Sequence, residues 1–198
     1  MIIKNIAKIC RESLAVNIYR SEHGEQWIGT AAAMYYVPNL LPLTVMQACE
    51  IFDYKQKIKN AICERPIADT SEAAELFTDD YPHEIYIEEV PQDIAIRGDL
   101  YKVFSCQGVH FLINDLYLAP LADIGENTIY CMRLFKGTPM LCVKNGMVAA
   151  AVIAPRKFTR EIIDDEIGSM ESVIAKLRTE HIVAREISED VRQMRMEG

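Results

Sequence analysis

Two apolar stretches constrain the fold of this chain more than any other feature of it. Residues 29–38 and 146–155 each open on a glycine, run through three consecutive alanines (Ala31, Ala32 and Ala33; Ala149, Ala150 and Ala151) and end on a proline, Pro38 and Pro155. Each stretch also follows the same order of patterns: a short helical segment, then two β-like runs with a turn between them. Self-similarity of this kind is the mark of a repeated supersecondary unit. It predicts two α-β-β-β units burying their alanine-centred strands in one interior, with an insertion at about 39–98. The fold class expected is α+β with antiparallel sheets.

The local patterns fill in the elements. Ile3, Ile6, Ala7 and Cys10 fall at helical spacing and predict a helix over 3–12, with Lys4, Lys8 and Arg11 on another face. Residues 14–20 and 26–37 are β-like and flank a polar turn containing Gly24. Thr44 is an N-cap for a helix reaching Phe52, and a second helical pattern covers 54–64. Residues 65–80 contain Pro66, the capping pattern Asp69-x-x-Glu72 and the pair Asp79-Asp80, and read as an exposed connection with one helical turn. Strands are expected over 83–90 and in two runs within 100–113 split by Gln107-Gly108, followed by a short helix at about 114–122. Three more strands follow at 128–135, 140–144 and 147–154. The last two are joined by Asn145-Gly146, the strongest short hairpin signal a sequence offers. Beyond Thr159 the positions Ile163, Ile167, Met170, Ile174 and Leu177 predict an amphipathic helix, and a second covers 180–195. The stripe lasts about two heptads, too short for a coiled coil. The expected division is a main domain of 1–158 and a helical appendage of 159–198.

Half of the 198 residues are apolar and a quarter are charged, which is ordinary globular usage. A domain of this size removes roughly 70% of its unfolded surface from water. No apolar run reaches the eighteen or so residues that span a bilayer, since residues 140–154 are interrupted by Lys144, Asn145 and Gly146. Lys4, Lys8 and Arg11 are spread through the apolar start of the chain, unlike a secretory leader. A cytoplasmic protein with no membrane partner is expected. The six cysteines lack CxxC pairs or a framework spacing and read as buried, reduced thiols. The formal charge of −8 repels nucleic acid, so any DNA contact has to be local.

No catalytic constellation is visible. There is no GxSxG, no GxxxxGK[ST] and no GxGxxG after a strand. His23, His83, His110 and His181 are scattered, and neither Asp79-Asp80 nor Asp164-Asp165-Glu166 has the ligand spacing of a calcium loop. No enzyme activity, cofactor, metal or small-molecule substrate is implied; an active site would need residues assembled only by the fold, around 65–80. His23 reads as a turn residue, His110 as a core or edge histidine, Arg97-Gly98-Asp99 as a turn and Trp27 as core. Lys4, Lys8 and Arg11, at i, i+4 and i+7, are the candidate phosphate contacts, although three cations on one helix also describe a plain solvated face.

Residues 111–118 (Phe111, Leu112, Ile113, Asn114, Asp115, Leu116, Tyr117, Leu118) with Leu121, and residues 148–158, resemble the DNA sliding clamps, the processivity factors of replicative polymerases. The first set is similar to the clamp segment that leads into a helix, the second to the last strand and carboxyl-terminal motif of bacterial clamps. Pro155 matches that motif's proline, Lys157 and Phe158 stand where arginine and leucine are usual, and Ala154 and Arg156 replace methionines. The resemblance implies a clamp-like domain with paired helices on one side of curved antiparallel sheets. It also implies DNA contact through Lys4, Lys8 and Arg11, and a partner-peptide surface at Pro155, Lys157 and Phe158. Three features depart from the family. The chain has length for one of the six domains of a ring, some forty residues follow the motif, and the second helix carries Asp115 and Asp123 with no basic residue. The function expected is that of a non-enzymatic, clamp-like binding protein associated with DNA or replication. The alternative is a regulatory or accessory protein that works through protein contacts or self-association of its carboxyl-terminal helices.

Overall fold

The first helix, α1 (Ile3–Ser13), forms because Ile6, Ile9 and Cys10 share a face that the rest of the fold covers completely. It ends where Leu14 turns into the left-handed region (φ 49°) and its N–H bonds back to Arg11. In the computed structural model, which describes residues 1–63, 71–106 and 109–156, this helix precedes β1 (Asn17–Arg20), β2 (Gln26–Gly29) and β3 (Ala33–Tyr36). Next come α2 (Val45–Ile51), α3 (Gln56–Cys63) and a 3-10 helix, Ser71–Phe77. The remaining elements are β4 (Ile85–Tyr86), β5 (Glu88–Ile96), β6 (Asp99–Cys106), β7 (Val109–Asn114), α4 (Asp115–Leu118), a 3-10 turn at Ala119–Leu121, β8 (Thr128–Phe135), β9 (Thr138–Asn145) and β10 (Val148–Ile153).

The protein is a mixed α+β fold with two antiparallel sheets. The larger has the strand order β1-β2-β3-β10-β9-β8-β4, and the smaller is β5-β6-β7. The two alanine-bearing stretches are neighbours at the centre of the large sheet, where Ala33 pairs with Ile153, Met34 with Val152 and Tyr35 with Ala151. A register shift between Ala149 and Ala151 turns Ala150 and Ala151 both toward the same core, and the small side chains make room for that bulge. One face of the large sheet packs Ile28, Tyr35, Leu141, Val143 and Ile153 against α1, the α2–α3 hairpin and the small sheet. The other face carries Trp27, Met34, Cys131, Cys142 and Val152 beneath Leu76 and Phe77 of the 3-10 helix. The chain passes from the large sheet to the small one at Ile87, whose N–H bonds to the Tyr130 carbonyl at 3.0 Å. Phe104 then meets Tyr130 edge-on across the sheets, with ring centroids 5.0 Å apart.

Several elements differ from the sequence expectation for local reasons. The β-like run over 26–37 is two strands, because the chain doubles back between Gly29 and Ala33 with Thr30 N–H on the Ala33 carbonyl at 2.8 Å. Gly29 is required there, since a Cβ would sit 2.0 Å from that same carbonyl oxygen. The strand expected over 83–90 extends to Ile96, and the sheet-edge register slips between Val90 and Asp93 to pass Pro91, which has no ladder donor. The helix expected at 114–122 shortens to α4 plus a 3-10 turn containing Pro120. Five cysteines are buried and free as expected, but Cys63, at the end of α3, is exposed. His110 is exposed on β7. The helices expected beyond residue 158 lie outside the described residues.

Candidate functional site

On a helix with 3.6 residues per turn, positions 4, 8 and 11 fall within an arc of about 60°. Ile6, Ile9 and Cys10 anchor α1 by the opposite side, so Lys4, Lys8 and Arg11 all point to solvent and all are exposed. Among the described residues only Lys8 has a carboxylate partner, Glu12 one turn on at 4.0 Å, with both side chains about half exposed. Such a pair contributes little and is easily exchanged for another anion.

The neighbours of this stripe differ on its two flanks. On one flank the α2–α3 connection docks through Tyr54, whose hydroxyl donates to the Ala7 carbonyl. Burial, followed by the Cys10 and Cys49 thiols, raises the Tyr54 pKa against the weaker opposing field of Arg11. Lys55 follows Tyr54 directly, and Lys57 and Lys59 lie on α3. From Met1 to Cys63, seven Lys and Arg accompany five Asp and Glu. That segment therefore carries +2, while residues 64–198 carry −10. The overall acidity of the chain concealed this asymmetry.

On the other flank α1 meets α4 and the turn after it. Asn5 donates to the Ala119 carbonyl at 2.8 Å, Ile2 N–H to the Pro120 carbonyl at 2.8 Å, and the terminal ammonium pairs with Asp123. This side is acidic, with Glu12, Asp115 and Asp123. The basic stripe is thus bounded by α4 on this flank, and on the other Tyr54 joins the α2–α3 connection to α1.

The carboxyl-terminal motif is only partly within the described residues. Ala154 N–H bonds to the Ala32 carbonyl at 2.7 Å and Arg156 N–H to the Leu112 carbonyl at 2.9 Å, so Pro155 is held between the central strands and β7 and is partly exposed. The Arg156 guanidinium lies over the Tyr101 ring, 5.3 Å from its centroid, and bonds to its hydroxyl. Lys157 and Phe158 lie outside the described residues.

A second polar assembly, absent from the sequence reading, sits on the opposite face of the large sheet. Arg133 on β8 and Lys144 on β9 are 0% and 4% exposed. Glu84 joins them, accepting from Arg133 at 2.8 and 3.0 Å through one oxygen and from Lys144 at 2.9 Å through the other. Arg133 also donates to the carbonyls of Leu76 and Thr78, and Lys144 to that of Asp79. The Asp79 carboxylate accepts the Ala149 N–H at 2.8 Å. Burial alone would raise the Glu84 carboxyl, but the hydrogen bonds and charges of Lys144 and Arg133 outweigh it and hold its pKa below the usual value. The cluster fastens residues 76–84 over the sheet. Its carboxylate and both cations are consumed by one another, so it has a structural rather than a chemical role. The adjacent Cys131 and Cys142 thiols are pushed up by burial, to about 11 and about 12, and are poor nucleophiles.

Among the described residues no cluster of three or more His, Cys, Asp and Glu side chains is set to hold a metal ion, and no helix is long and apolar enough to cross a membrane. No protein-family model matches the chain, and no curated protein or solved structure is significantly similar to it.

Proposed function

We propose that this chain is a non-enzymatic binding protein built on a clamp-like domain of two related halves, which contacts duplex DNA through the basic face of α1 and its extension on α3. One observation carries the reading. From the β3–β10 pair the strands run outward in mirrored order, β3-β2-β1 on one side and β10-β9-β8 on the other, and a helix precedes each set in the chain, α1 and α4. The alanine stretches meet at the centre of that arrangement. The contact surface is favoured by the exposure of Lys4, Lys8 and Arg11 and by the local charge of +2 in an otherwise acidic protein. Acidity on α4 restricts the contact to one half, so the domain lies against a duplex by one helix rather than surrounding it. Pro155, Lys157 and Phe158 are assigned to a separate partner-peptide surface in this reading.

The test is fluorescence anisotropy of a labelled duplex at low salt with the full chain and with a Lys4→Ala, Lys8→Ala, Arg11→Ala variant. Saturable binding that the variant loses supports DNA contact. An unaltered signal in the variant, or none with the wild type, removes it and leaves protein contacts as the function to pursue.

A further inference from the structure

The face of the large sheet opposite α1 contains a pocket of about 220 Å3 between the strands and the 3-10 helix Ser71–Phe77. Its walls are apolar, with Met34, Met140 and Phe135 from the sheet and Phe77 from the 3-10 helix. Two polar side chains interrupt them. Asn17, on β1, is 6% exposed, and its side-chain amide has no hydrogen-bond partner among the described residues. Thr30 is 3% exposed; its oxygen accepts the N–H groups of Ala32 and Ala33 at 3.2 and 3.3 Å, which leaves its hydroxyl hydrogen to be donated. The Asn17 amide is not sealed from solvent, so its pairing capacity is free for a molecule in the pocket that it lines.

Size and chemistry restrict what the pocket accepts. A cavity of about 150 Å3 lined by aliphatic and phenyl groups takes up benzene, so this one has room for a single ring and one small polar substituent. No charged side chain lies among its described lining residues, and a charged ligand would be desolvated there without compensation. An asparagine amide offers an acceptor beside a donor, and its complement is an edge with a donor beside an acceptor. We propose that this pocket binds a neutral, single-ring molecule with a carboxamide-type edge, paired with the Asn17 amide and assisted by the Thr30 hydroxyl. The site is independent of the basic face of α1, which lies across the sheet.

The probe is benzamide, titrated into the full chain carrying 13C-methyl methionine, with toluene as the apolar control and benzoate as the charged one. The methyl signals of Met34 and Met140 should move saturably with benzamide while those of Met46 and Met147, exposed elsewhere, stay put. Benzoate should cause no shift. Asn17→Leu keeps the volume and should weaken benzamide by about threefold to tenfold, to the level of toluene. Ala73→Phe, which fills the pocket from the 3-10 helix, should abolish the shifts of all three probes. The methyl spectrum itself reports that each variant is folded. Absence of a saturable shift at Met34 and Met140, equal affinity for toluene and benzamide in the wild type, or unchanged benzamide affinity in Asn17→Leu would each overturn the proposal.

Discussion

Glu84 accepts two hydrogen bonds from Arg133 through a single oxygen, at 2.8 and 3.0 Å, on a part of the sheet where the guanidinium has no contact with water. The pairing explains how a 3-10 helix with little regular structure of its own covers a sheet face. Arg133 and Lys144 replace their lost hydration with Glu84 and with carbonyls of residues 76–79, so the charges are satisfied only when the covering segment is in place.

Removing one partner of such a cluster leaves the others buried without compensation, which costs about 3–5 kcal/mol. Glu84→Gln leaves two cations facing a neutral amide and is expected to lower the unfolding free energy by about 3 kcal/mol, measured by urea denaturation. A loss below about 1 kcal/mol would show that the segment is held by its apolar contacts alone.

The same cluster sets a pH dependence. Glu84 has a lowered pKa in the folded state, so its contribution is complete above the ordinary glutamate value of about 4.3 and is lost as pH falls through the lowered folded value. Lys144 is the reverse case. Burial disfavours its charge, but hydrogen bonding and attraction to Glu84 outweigh this and raise its pKa. Its contribution is complete below the ordinary lysine value of about 10.4 and fades as pH rises through the raised one. The urea midpoint should therefore decline on the acid side, and Glu84→Gln should show a shallower acid decline than the wild type.

Trp27, the only tryptophan, is 1% exposed and lies with its ring centroid 5.0 Å from Phe77 of the 3-10 helix and 5.5 Å from Tyr36. Its emission reports whether that helix is docked. Phe77→Ala should shift the emission to the red in the folded state and lower stability by about 3 kcal/mol. An unshifted spectrum would place the cover elsewhere.

Thiol reactivity separates the cysteines. Cys63 is exposed, while burial pushes Cys10 and Cys142 to about 12 and Cys131 to about 11. Ellman's reagent should titrate one thiol quickly in the native protein, and Cys63→Ser should remove that phase. Fast reaction of several thiols would mean that the sheet faces open readily.

Much of the antiparallel α+β fold was legible because its signals are local. The helical spacing of Ile3, Ile6, Ala7 and Cys10 in α1, the Thr44 cap of α2 and the turn at Asn145-Gly146 each depend on a few adjacent residues. What could not be read depends on distant partners. The break in the run 26–37 comes from Gly29 meeting the Ala33 carbonyl, an approach no periodicity records. Arg133 and Lys144 look like solvated strand residues until residues 76–84 are laid over them. Among the candidate site residues, the shared face of Lys4, Lys8 and Arg11 follows from helical spacing, whereas the docking of the α2–α3 connection against α1 depends on Tyr54, a distant partner. The place of Asn17 in the wall of a pocket follows from the 3-10 helix laid over the sheet, which its own short strand does not encode.

DNA contact is tested most directly by the salt dependence of duplex affinity. Each phosphate neutralised contributes about −0.9 to the slope of log K against log salt. Contacts by Lys4, Lys8 and Arg11 should give a slope near −2.7, steeper where Lys55 or Lys59 takes part, and Lys4→Ala with Lys8→Ala should flatten it by nearly two units. A slope near zero, or one that the double variant leaves unchanged, would contradict DNA contact through the face of α1.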